Sequence, residues 1–462
     1  MLDFKNKKIT VMGLGLHGGG VAVTEFLAKK GAFLTVTDLK SKAQLQDSIK
    51  QLKPFKINYV LGQHRLKDFE QADLIIKNPG VPQTSKFLAA ARKKGIPIEI
   101  DLSLFLKFCP SRQIIGITGT KGKSTTTTLL YQMFKHFNKN TILGGNIRIS
   151  PLNFLPKIRK DTPVILELSS WQLEDLAEHN LNPAGAILTN VLRDHLNTYK
   201  NMAAYVRAKE LIFKFQKPQD ILILNKDNEY TAAMAKKTKA KVYWYSLGQL
   251  IKSEKGCFIK KGWAVFKNGK IKKVLPLSEI QIRGSHNLSN VLAAVTLALA
   301  FGLPVRLIRS VVKRFKGLAS RLELVREFQG VKYYNDTTAT TPDAVVAALD
   351  SFEQKVVLLA GGTDKKLDFK ALAKVIKEKV KALILFEGTA TAKLVKELRK
   401  INFNKNLVFV DSMPEAFKQA KYILEKGDIF LLSPGAASFG LFINEFDRGE
   451  QFNKAVRQLG KK

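Results

Sequence analysis

The chain has 462 residues and carries 76 Lys and Arg against 39 Asp and Glu, so its formal net charge is +37. This length predicts about three domains of roughly 100–200 residues each. With 45% hydrophobic residues, 25% charged residues and only two cysteines, the composition excludes a disordered chain, a collagen-like repeat and a disulfide scaffold. So few cysteines also indicate a reducing compartment.

No stretch approaches the ~18 consecutive apolar residues that a membrane helix requires, so we expect a cytoplasmic protein with no membrane partner. The basic residues are spread along the whole chain instead of forming one tract with interleaved aromatic side chains. Dispersed charge favours a solvated surface that attracts anionic substrates, and we expect a monomer without a nucleic-acid partner. A basic, nucleotide-regulated nucleic-acid binder stays open as the alternative.

Short runs rich in Val, Ile and Leu recur along the chain, each followed by a turn and an amphipathic helical stretch. Buried strands are predicted to begin at Ile9, Ile114, Val164, Ala186, Ile221, Val356, Ala382 and Ile429. Continuous apolar runs of this kind are typical of parallel sheets covered on both faces, so the fold class is α/β. Residues 241–282 differ, because their short alternating strands predict a small antiparallel insertion.

Two soft boundaries, near residues 110 and 316, divide the chain into three predicted domains. These domains span residues 1–110, 111–316 and 317–462.

A glycine-rich turn follows the first predicted strand. The run Gly13-Leu-Gly15-Leu-His-Gly18 opens a helical stretch from Val21 to Lys30, and Asp38 ends the next strand. Such glycines let the backbone approach a phosphate at a helix N-terminus, while the carboxylate holds a ribose hydroxyl. We therefore predict a nucleotide-type ligand at Gly15, Leu16, His17 and Asp38, with a ligand-free tight turn as the alternative. The loop Asn78-Pro-Gly80 either completes this site or is an ordinary turn.

A second glycine-rich loop lies between the strand at Ile114 and a predicted helical run from Thr128 to Phe137. Backbone amides of such a loop hold phosphate oxygens, a lysine neutralises the terminal phosphates, and a hydroxyl ligates magnesium. Ile117 stands where the standard pattern has glycine. The order of Gly, Lys and Ser nevertheless predicts ATP binding by Gly119, Thr120, Lys121, Gly122, Lys123, Ser124 and Thr125.

This loop resembles the ATP loop of the Mur ligases, the amide-forming enzymes that build the peptide stem of peptidoglycan. Folylpolyglutamate synthases share their architecture. The resemblance covers nearly the whole chain through motifs at Gly145-Asn146-Ile, Glu167 to Leu173, Thr189 to Leu196, Tyr205 to Lys209, Gly284 to Asn290, Arg321-Leu-Glu, Asn335-Asp336, Gly361 to Lys365 and Ser433 to Phe439. It implies a Rossmann-like N-terminal domain for a UDP-sugar, a central P-loop-type ATPase domain and a Rossmann-like C-terminal domain for an amino acid.

The resemblance also implies roles for residues outside the two loops. Ser124, Glu167, His195 and a carbamylated Lys209 would bind two magnesium ions, with Lys123, Lys209 and His195 as catalytic residues. Asn287 and Asn290 would place ATP, and Arg321 and Asp336 would hold its phosphates and ribose. Asn146 and Gly80 would contact the sugar substrate. Without the resemblance, we would interpret Glu167 as a surface carboxylate and His195 as a histidine at the edge of the core. Lys209 would be interpreted as a solvated lysine.

The implied reaction adds D-glutamate to UDP-N-acetylmuramoyl-L-alanine through an acyl phosphate made with ATP. The alternatives are a related ligase that adds L-glutamate or another amino acid, and a folylpolyglutamate synthase-like enzyme. The folate alternative leaves the domain around Gly13 and Asp38 without an obvious use.

Two departures from the family pattern fall where glutamate is expected to bind. The family reads Asn-Asp-Ser-Lys-Ala-Thr-Asn, whereas this chain has Thr338 in place of the lysine. The aromatic and acidic positions are also exchanged at Glu445 and Phe446. Lys365 and Ser438 remain the expected glutamate contacts, and Lys366 is a lysine that could supply the missing charge. The identity and handedness of the amino acid stay open.

Overall fold

The computed structural model describes residues 3–16, 18–147, 149–194, 198–365, 367–403 and 405–460. The first sheet is entirely parallel, in the order β3-β2-β1-β4-β5. Its elements are β1 Lys8–Met12, α1 Gly19–Lys29, β2 Phe33–Asp38, α2 Gln46–Gln51, β3 Ile57–Leu61, α3 Leu66–Glu70, β4 Leu74–Lys77, α4 Lys86–Lys93, β5 Ile98–Glu99 and α5 Asp101–Phe108. The order reverses at β1, whose neighbours β2 and β4 leave a crevice at the carboxyl ends of the strands.

The second sheet has nine strands in the order β14-β13-β12-β11-β10-β9-β6-β8-β7. Its strands are β6 Ile114–Thr118, β7 Ile142–Gly145, β8 Val164–Glu167, β9 Gly185–Leu188, β10 Ile221–Asn225, β11 Lys241–Ser246, β12 Gly256–Lys260, β13 Trp263–Asn268 and β14 Lys270–Pro276. Its α-helices are α6 Lys123–Phe137, α7 Ser170–Asp175, α8 Met202–Glu210, α9 Glu229–Met234, α10 Ser285–Ala300 and α11 Val305–Arg314, and short 3-10 helices lie at Pro151–Lys157, Ala177–His179, Ala235–Lys237 and Leu277–Glu279.

The predicted antiparallel insertion is wrong over its first strand. β11 pairs parallel with β10, because the chain returns through α9 in a β-α-β crossover. β12 also pairs parallel with β11. Only β12, β13 and β14 form an antiparallel meander, which ends at Pro276 and extends the parallel sheet at its edge.

The third sheet has the order β15-β16-β20-β17-β18-β19, in which only the β15–β16 pair is antiparallel. Its elements are β15 Glu323–Phe328, β16 Val331–Asn335, α12 Pro342–Leu349, β17 Val356–Gly361, α13 Lys370–Lys379, β18 Val380–Phe386, α14 Thr389–Lys400, β19 Leu407–Val410, α15 Met413–Ile423, β20 Ile429–Leu432 and α16 Glu445–Gln458. All eight predicted strands are present and buried, since their continuous apolar runs are covered on both faces.

Each sheet lies within one of the three predicted domain ranges, although the boundaries at 110 and 316 stay predictions. The first two sheets belong to one compact unit, formed by the described residues up to 277 together with 289–311. Residues 278–288 and the described residues from 312 onwards form the second unit. Across the described ranges, the helices are too short or too polar to span a bilayer.

A buried ion pair joins the first sheet to the second within the first unit. Lys77, at the carboxyl end of β4, places its Nζ 2.7 Å from Oδ2 of Asp175, the last residue of α7. Both side chains are less than 5% exposed. The Lys77 ammonium also donates to the carbonyl of Val81 at 3.3 Å. One lysine therefore fixes the turn after β4 against the second sheet.

We expect Lys77→Met to destabilise the chain by about 3–5 kcal/mol, because it leaves the Asp175 carboxylate buried without its cation. The double variant Lys77→Met/Asp175→Leu should recover most of this loss, since apolar side chains of similar volume can replace a buried pair. Urea unfolding followed by circular dichroism measures both. A double variant less stable than Lys77→Met would contradict this account.

Candidate active site

The first glycine turn and the loop after β4 form one crevice beside β1. Gly13 and Gly15 have φ of 92° and 65°, a backbone region that favours glycine. The amide of Gly15 donates to Asp38 Oδ2 at 3.0 Å, so the carboxylate at the end of β2 orients the turn. A Cβ on Gly13 would lie 2.9 Å from Cβ of Asn78, which shows how closely the two loops approach.

The predicted ligand residues at this crevice are therefore neighbours. The side-chain amide of Asn78 donates to the Gly13 carbonyl at 3.4 Å, and its oxygen accepts the Gly80 amide at 3.0 Å. Leu16 leaves half of its side chain exposed beside them. His17 lies outside the described residues.

The second glycine loop leads directly into α6, which begins at Lys123 and so includes the predicted run from Thr128 to Phe137. Gly122 caps the helix with a φ of 84°. Lys123 folds back over the loop, and its Nζ lies 3.0 Å from the carbonyl oxygens of both Gly119 and Thr120. A helix N-terminus with a lysine over the preceding loop is the arrangement that holds a polyphosphate.

The loop has no room for side chains at its glycines. A Cβ on Gly119 would lie 1.8 Å from Thr189 Oγ1, and one on Gly122 would lie 2.1 Å from Asn290 Oδ1. Asn290, a predicted ATP residue on α10, is thereby a wall of the phosphate loop. The predicted loop residues Ser124 and Thr125 occupy the first turn of α6.

Thr189 and Asn190 follow β9 and hydrogen bond to the phosphate loop on the side opposite Asn290. We call these two residues the strap. Thr189 Oγ1 donates to the Lys121 carbonyl at 2.6 Å, and Asn190 Oδ1 accepts the Lys121 amide at 2.9 Å. The Thr120 amide donates to the Asn190 carbonyl at 2.8 Å. Neither strap residue was among the predicted site residues. Their signal was the position immediately after a buried strand that neighbours β6.

Glu167 ends β8, the strand on the other side of β6. Its side chain is 2% exposed, and Oε1 accepts a hydrogen bond from Asn146 Nδ2 at 2.8 Å. Oε2 is buried and has no hydrogen-bond partner among the described residues. A buried carboxylate oxygen without a donor is a fitting ligand for a hard cation such as magnesium.

Of the other predicted metal ligands outside Lys209, the structure describes Ser124 but not His195. Ser124 is at the helix N-terminus, and His195 lies outside the described residues. Within the described ranges, no group of three or more His, Cys, Asp and Glu side chains is gathered as a metal site.

Lys209 is buried, not solvated as its sequence context alone would indicate. Its side chain is 1% exposed, and Nζ donates to the Gly119 carbonyl at 2.8 Å. The ammonium lies 4.5 Å from the centroid of the Tyr205 ring. Burial, and next the positive charge of Lys123, hold the pKa of Lys209 well below its usual value. The amine therefore loses its proton much more readily than a surface lysine does.

Tyr205 connects this lysine to the phosphate loop. Its hydroxyl lies 3.2 Å from Thr120 Oγ1, and burial raises its pKa to about 12. The phenol therefore stays protonated at neutral pH and can hydrogen bond to the loop. Sequence reasoning included Tyr205 only as part of a motif, because a tyrosine one turn before a lysine on a helix is common.

In the second unit, the predicted nucleotide residues are Asp336, directly after β16, Arg321, before β15, and Asn287, in the first turn of α10. Asp336 accepts the Leu322 amide at 3.1 Å and the Ser433 hydroxyl at 2.9 Å. Burial raises the pKa of Asp336 to about 7, and the charge of Arg321 opposes that rise. Asn287 donates from its side chain to the Arg283 carbonyl at 2.7 Å. The structure thus brings Asp336 and Arg321 together on one loop cluster.

The Thr338 departure from the family pattern lies close to Lys365. Thr338 is satisfied by its own surroundings, donating from Oγ1 to the Ser320 carbonyl at 2.9 Å. Lys365 Nζ reaches Thr340 Oγ1 at 3.1 Å, so a positive charge lies two residues from Thr338. Ser438 is buried at the next loop, after β20. Lys366 lies outside the described residues.

Arg448 lies between the loop after β16 and the loop after β20 and hydrogen bonds to both. It is fully buried, and its Nε and Nη2 donate at 3.0 Å to the hydroxyl and the carbonyl of Thr337. Burial lowers the pKa of Arg448 to about 10, so it stays charged at neutral pH. It therefore shapes the loop that carries Thr338 instead of offering its charge to a ligand.

We expect Gly119→Ala to weaken ATP binding at least tenfold, equivalent to about 1.4 kcal/mol, since its Cβ would displace Thr189 and deform the loop. Gly262→Ala is the matched control. It also has positive φ, but its Cβ would meet nothing within 4 Å. Calorimetric titration with a non-hydrolysable ATP analogue measures both variants, and equal affinities would contradict the steric role of Gly119.

Three family models match the chain in order. Residues 7–99 match the N-terminal domain of MurD-like Mur ligases, residues 117–298 the Mur ligase middle domain, and residues 320–435 the glutamate ligase domain.

Two relatives match this chain over nearly their full length. A UDP-N-acetylmuramoylalanine--D-glutamate ligase of Roseiflexus sp. (strain RS-1) is 43% identical, covering 99% of this chain and 100% of the relative. The ligase of the same name from Borreliella burgdorferi (strain ZS7) is 41% identical, with 99% of each chain covered.

Solved structures share the fold at lower identity. The UDP-N-acetylmuramate-alanine ligase MurC of Thermotoga maritima has a TM-score of 0.65 at 21% identity, covering 98% of this chain and 100% of that one. MurF of Acinetobacter baumannii has a TM-score of 0.61 at 16% identity, covering 98% and 94%.

Proposed function

The chain belongs to the Mur ligase family, and from that premise we propose that it adds D-glutamate to UDP-N-acetylmuramoylalanine while ATP is converted to ADP and phosphate. It is a ligase of peptidoglycan precursor synthesis, as its full-length relatives are. One observation supports the chemical proposal most strongly. The Nζ atoms of Lys123 and Lys209 both donate to the Gly119 carbonyl, which belongs to the glycine-rich loop before α6.

The reaction must first activate a carboxylate, whose oxygen is a poor leaving group. The alanyl carboxylate attacks the γ-phosphorus of ATP, ADP leaves, and an acyl phosphate forms. The amino group of glutamate then attacks the acyl carbon, and phosphate leaves as the amide forms. Lys123 can exchange its contacts with its own loop for the oxygens of the transferring phosphoryl group and so balance their charge.

Magnesium fits this site because Glu167 has a buried, unpartnered oxygen. Ser124, Glu167, His195 and a carbamylated Lys209 would hold the two ions of the proposal. When bound, magnesium neutralises phosphate charge and orients the phosphoryl group for transfer. Asn146 positions the Glu167 carboxylate through its hydrogen bond to Oε1.

The carbamate on Lys209 is the least ordinary part of the proposal. Its low pKa supports it, because only a neutral amine can attack carbon dioxide to form the N–C bond and release a proton. The product is a carboxylate, which places a negative charge beside Lys123 and would supply an anionic oxygen to a metal.

We propose that the crevice of the first sheet, with Gly15, Leu16, His17, Asp38 and Gly80, holds the UDP part of the sugar substrate. Arg321, Asp336, Asn287 and Asn290 would complete the ATP site. Lys365 and Ser438 would receive glutamate. Because ATP and nucleotide sugars are cytoplasmic metabolites, a cytoplasmic location accompanies the proposal, as does a monomeric state, which light scattering would test.

The deciding experiment is phosphate release from ATP with UDP-N-acetylmuramoyl-L-alanine against a panel of D- and L-amino acids. We expect D-glutamate to be the preferred acceptor. A preference of at least tenfold for L-glutamate would overturn the handedness while keeping the mechanism, and no response to any amino acid would overturn both.

The same assay tests the Thr338 departure. If Lys365 does not replace the missing lysine fully, Thr338→Lys should lower the KM for glutamate by about ten- to a hundredfold, the worth of one charge-assisted hydrogen bond. Thr341→Lys, on the same loop, is the control for added charge alone. Equal effects of the two substitutions would show that position 338 has no specific role.

We expect Lys209→Ala to lose activity and to regain part of it with added acetate, which can replace the missing carboxylate. Lys217→Ala, at an exposed position after the same helix, should keep full activity without additive. Full activity of Lys209→Ala in the absence of any carboxylate would refute the carbamate. Incorporation of labelled bicarbonate into the wild-type protein, trapped by alkylation and read by mass spectrometry, checks the modification directly.

A further inference from the structure

The positive charge of the chain is strongest in a segment that the ligase reaction does not use. Residues 236–273 contain 12 lysines and a single acidic residue, Glu254. That glutamate is already engaged, since its Oε2 accepts the Lys226 ammonium at 2.5 Å and the Ile251 amide at 2.9 Å. Lys237 is paired with Glu210 at 2.6 Å from outside the segment, and the segment's own residues carry 12 − 1 = +11 formal charges.

Much of this charge surrounds the turn between β13 and β14. We call the following residues there the hairpin surface: the half-buried Lys267 and the exposed Ile251, Lys252, Lys270, Ile271 and Lys272. Lys267 pairs with Ile271 across the two strands, so the two side chains share one face of the hairpin. The Lys267 ammonium donates to the Ile251 carbonyl at 2.6 Å, which brings the loop before β12 to the same face.

Two isoleucines are exposed near the same turn, where Ile271 shares the face of Lys267 while Lys270 and Lys272 lie on the opposite face of the hairpin. Ile251 is 61% exposed and Ile271 is 47% exposed. Lysines on an edge strand can serve simply to prevent sheet-to-sheet aggregation. That role does not account for isoleucines on the same exposed surface, because exposed branched apolar residues on an edge strand promote aggregation.

The hairpin surface lies away from the proposed active site. Strands β6, β9, β10 and β11 are parallel, and the phosphate loop follows the carboxyl end of β6. β12 starts opposite the middle of β11, and the turn at Gly269 extends beyond that start toward the amino end of β11. A partner at the turn would leave the phosphate loop open.

We propose that the hairpin surface docks the protein onto an anionic lipid surface. A convex turn cannot enclose a small ligand, whereas a bilayer is broad and deformable. Lysines attract anionic headgroups, and the two isoleucines can enter the boundary between headgroups and acyl chains. The aromatic ring that could stack with nucleic-acid bases, Trp263, is instead covered by Lys273, whose Nζ lies 4.7 Å from the ring centroid.

The test is co-sedimentation of the full chain with phosphatidylcholine vesicles that contain or lack phosphatidylglycerol. We expect binding only to the anionic vesicles, and weaker binding at higher ionic strength because the attraction is screened. The absence of binding to anionic vesicles in low-salt buffer would overturn the proposal.

Two triple variants with the same net charge separate the hairpin surface from the general basicity of the chain. Lys252→Gln/Lys270→Gln/Lys272→Gln should weaken vesicle binding on the order of a hundredfold, since each lysine contributes roughly fivefold. Lys374→Gln/Lys396→Gln/Lys421→Gln, at exposed positions of the second unit, should have little effect. Equal losses in the two variants would overturn the proposal.

The isoleucines distinguish a lipid surface from any other polyanion. Ile251→Ser/Ile271→Ser keeps every charge, so it should weaken vesicle binding while leaving heparin binding unchanged. Unchanged vesicle binding in this variant would overturn the lipid assignment, as would tight binding of single-stranded RNA by a wild-type chain that ignores vesicles. Ligase turnover in solution should be the same for all these variants.

Discussion

Two lysines share one carbonyl oxygen at the centre of this molecule. Lys123 and Lys209 both donate to the Gly119 carbonyl, and the charge of Lys123 is one reason, after burial, that the pKa of Lys209 lies well below its usual value. The fold imposes this contact, because α6 starts where the phosphate loop ends and α8 buries Lys209 against the same loop. This arrangement consequently favours negative charge beside the two lysines.

Within each sheet, one rule brings the remaining groups together. Loops after parallel strands meet at the carboxyl edge, so the loops after β6, β8 and β9 supply the phosphate cradle, Glu167 and the Thr189 strap. The same rule gathers Asp336, Lys365 and Ser438 after β16, β17 and β20. The buried Arg448 holds the loop of Thr338 through its hydrogen bonds to Thr337. It therefore shapes this loop, whereas Lys365 and Ser438 are the residues proposed to contact glutamate.

Much of this was predictable from the sequence, and the failures have physical causes. Continuous apolar runs predicted all eight strands, and the glycine and lysine pattern predicted the phosphate loop. The antiparallel prediction failed at β11, since alternating polarity near a sheet edge does not reveal strand direction. Burial of Lys209 and the roles of Thr189, Asn190 and Tyr205 could not be read from local sequence, because each depends on partners far along the chain.

The close packing of the Asn290 side chain against Gly122 has a consequence for how the chain folds during synthesis. Asn290 forms one wall of the phosphate loop, yet it is synthesised long after the loop itself. The loop and α6 can form early from local contacts, but the cradle stays open on one side until α10 docks. The surroundings of Gly122 are therefore complete only after α10 has been synthesised and docked, and a nascent chain that ends before α10 lacks this side of the loop.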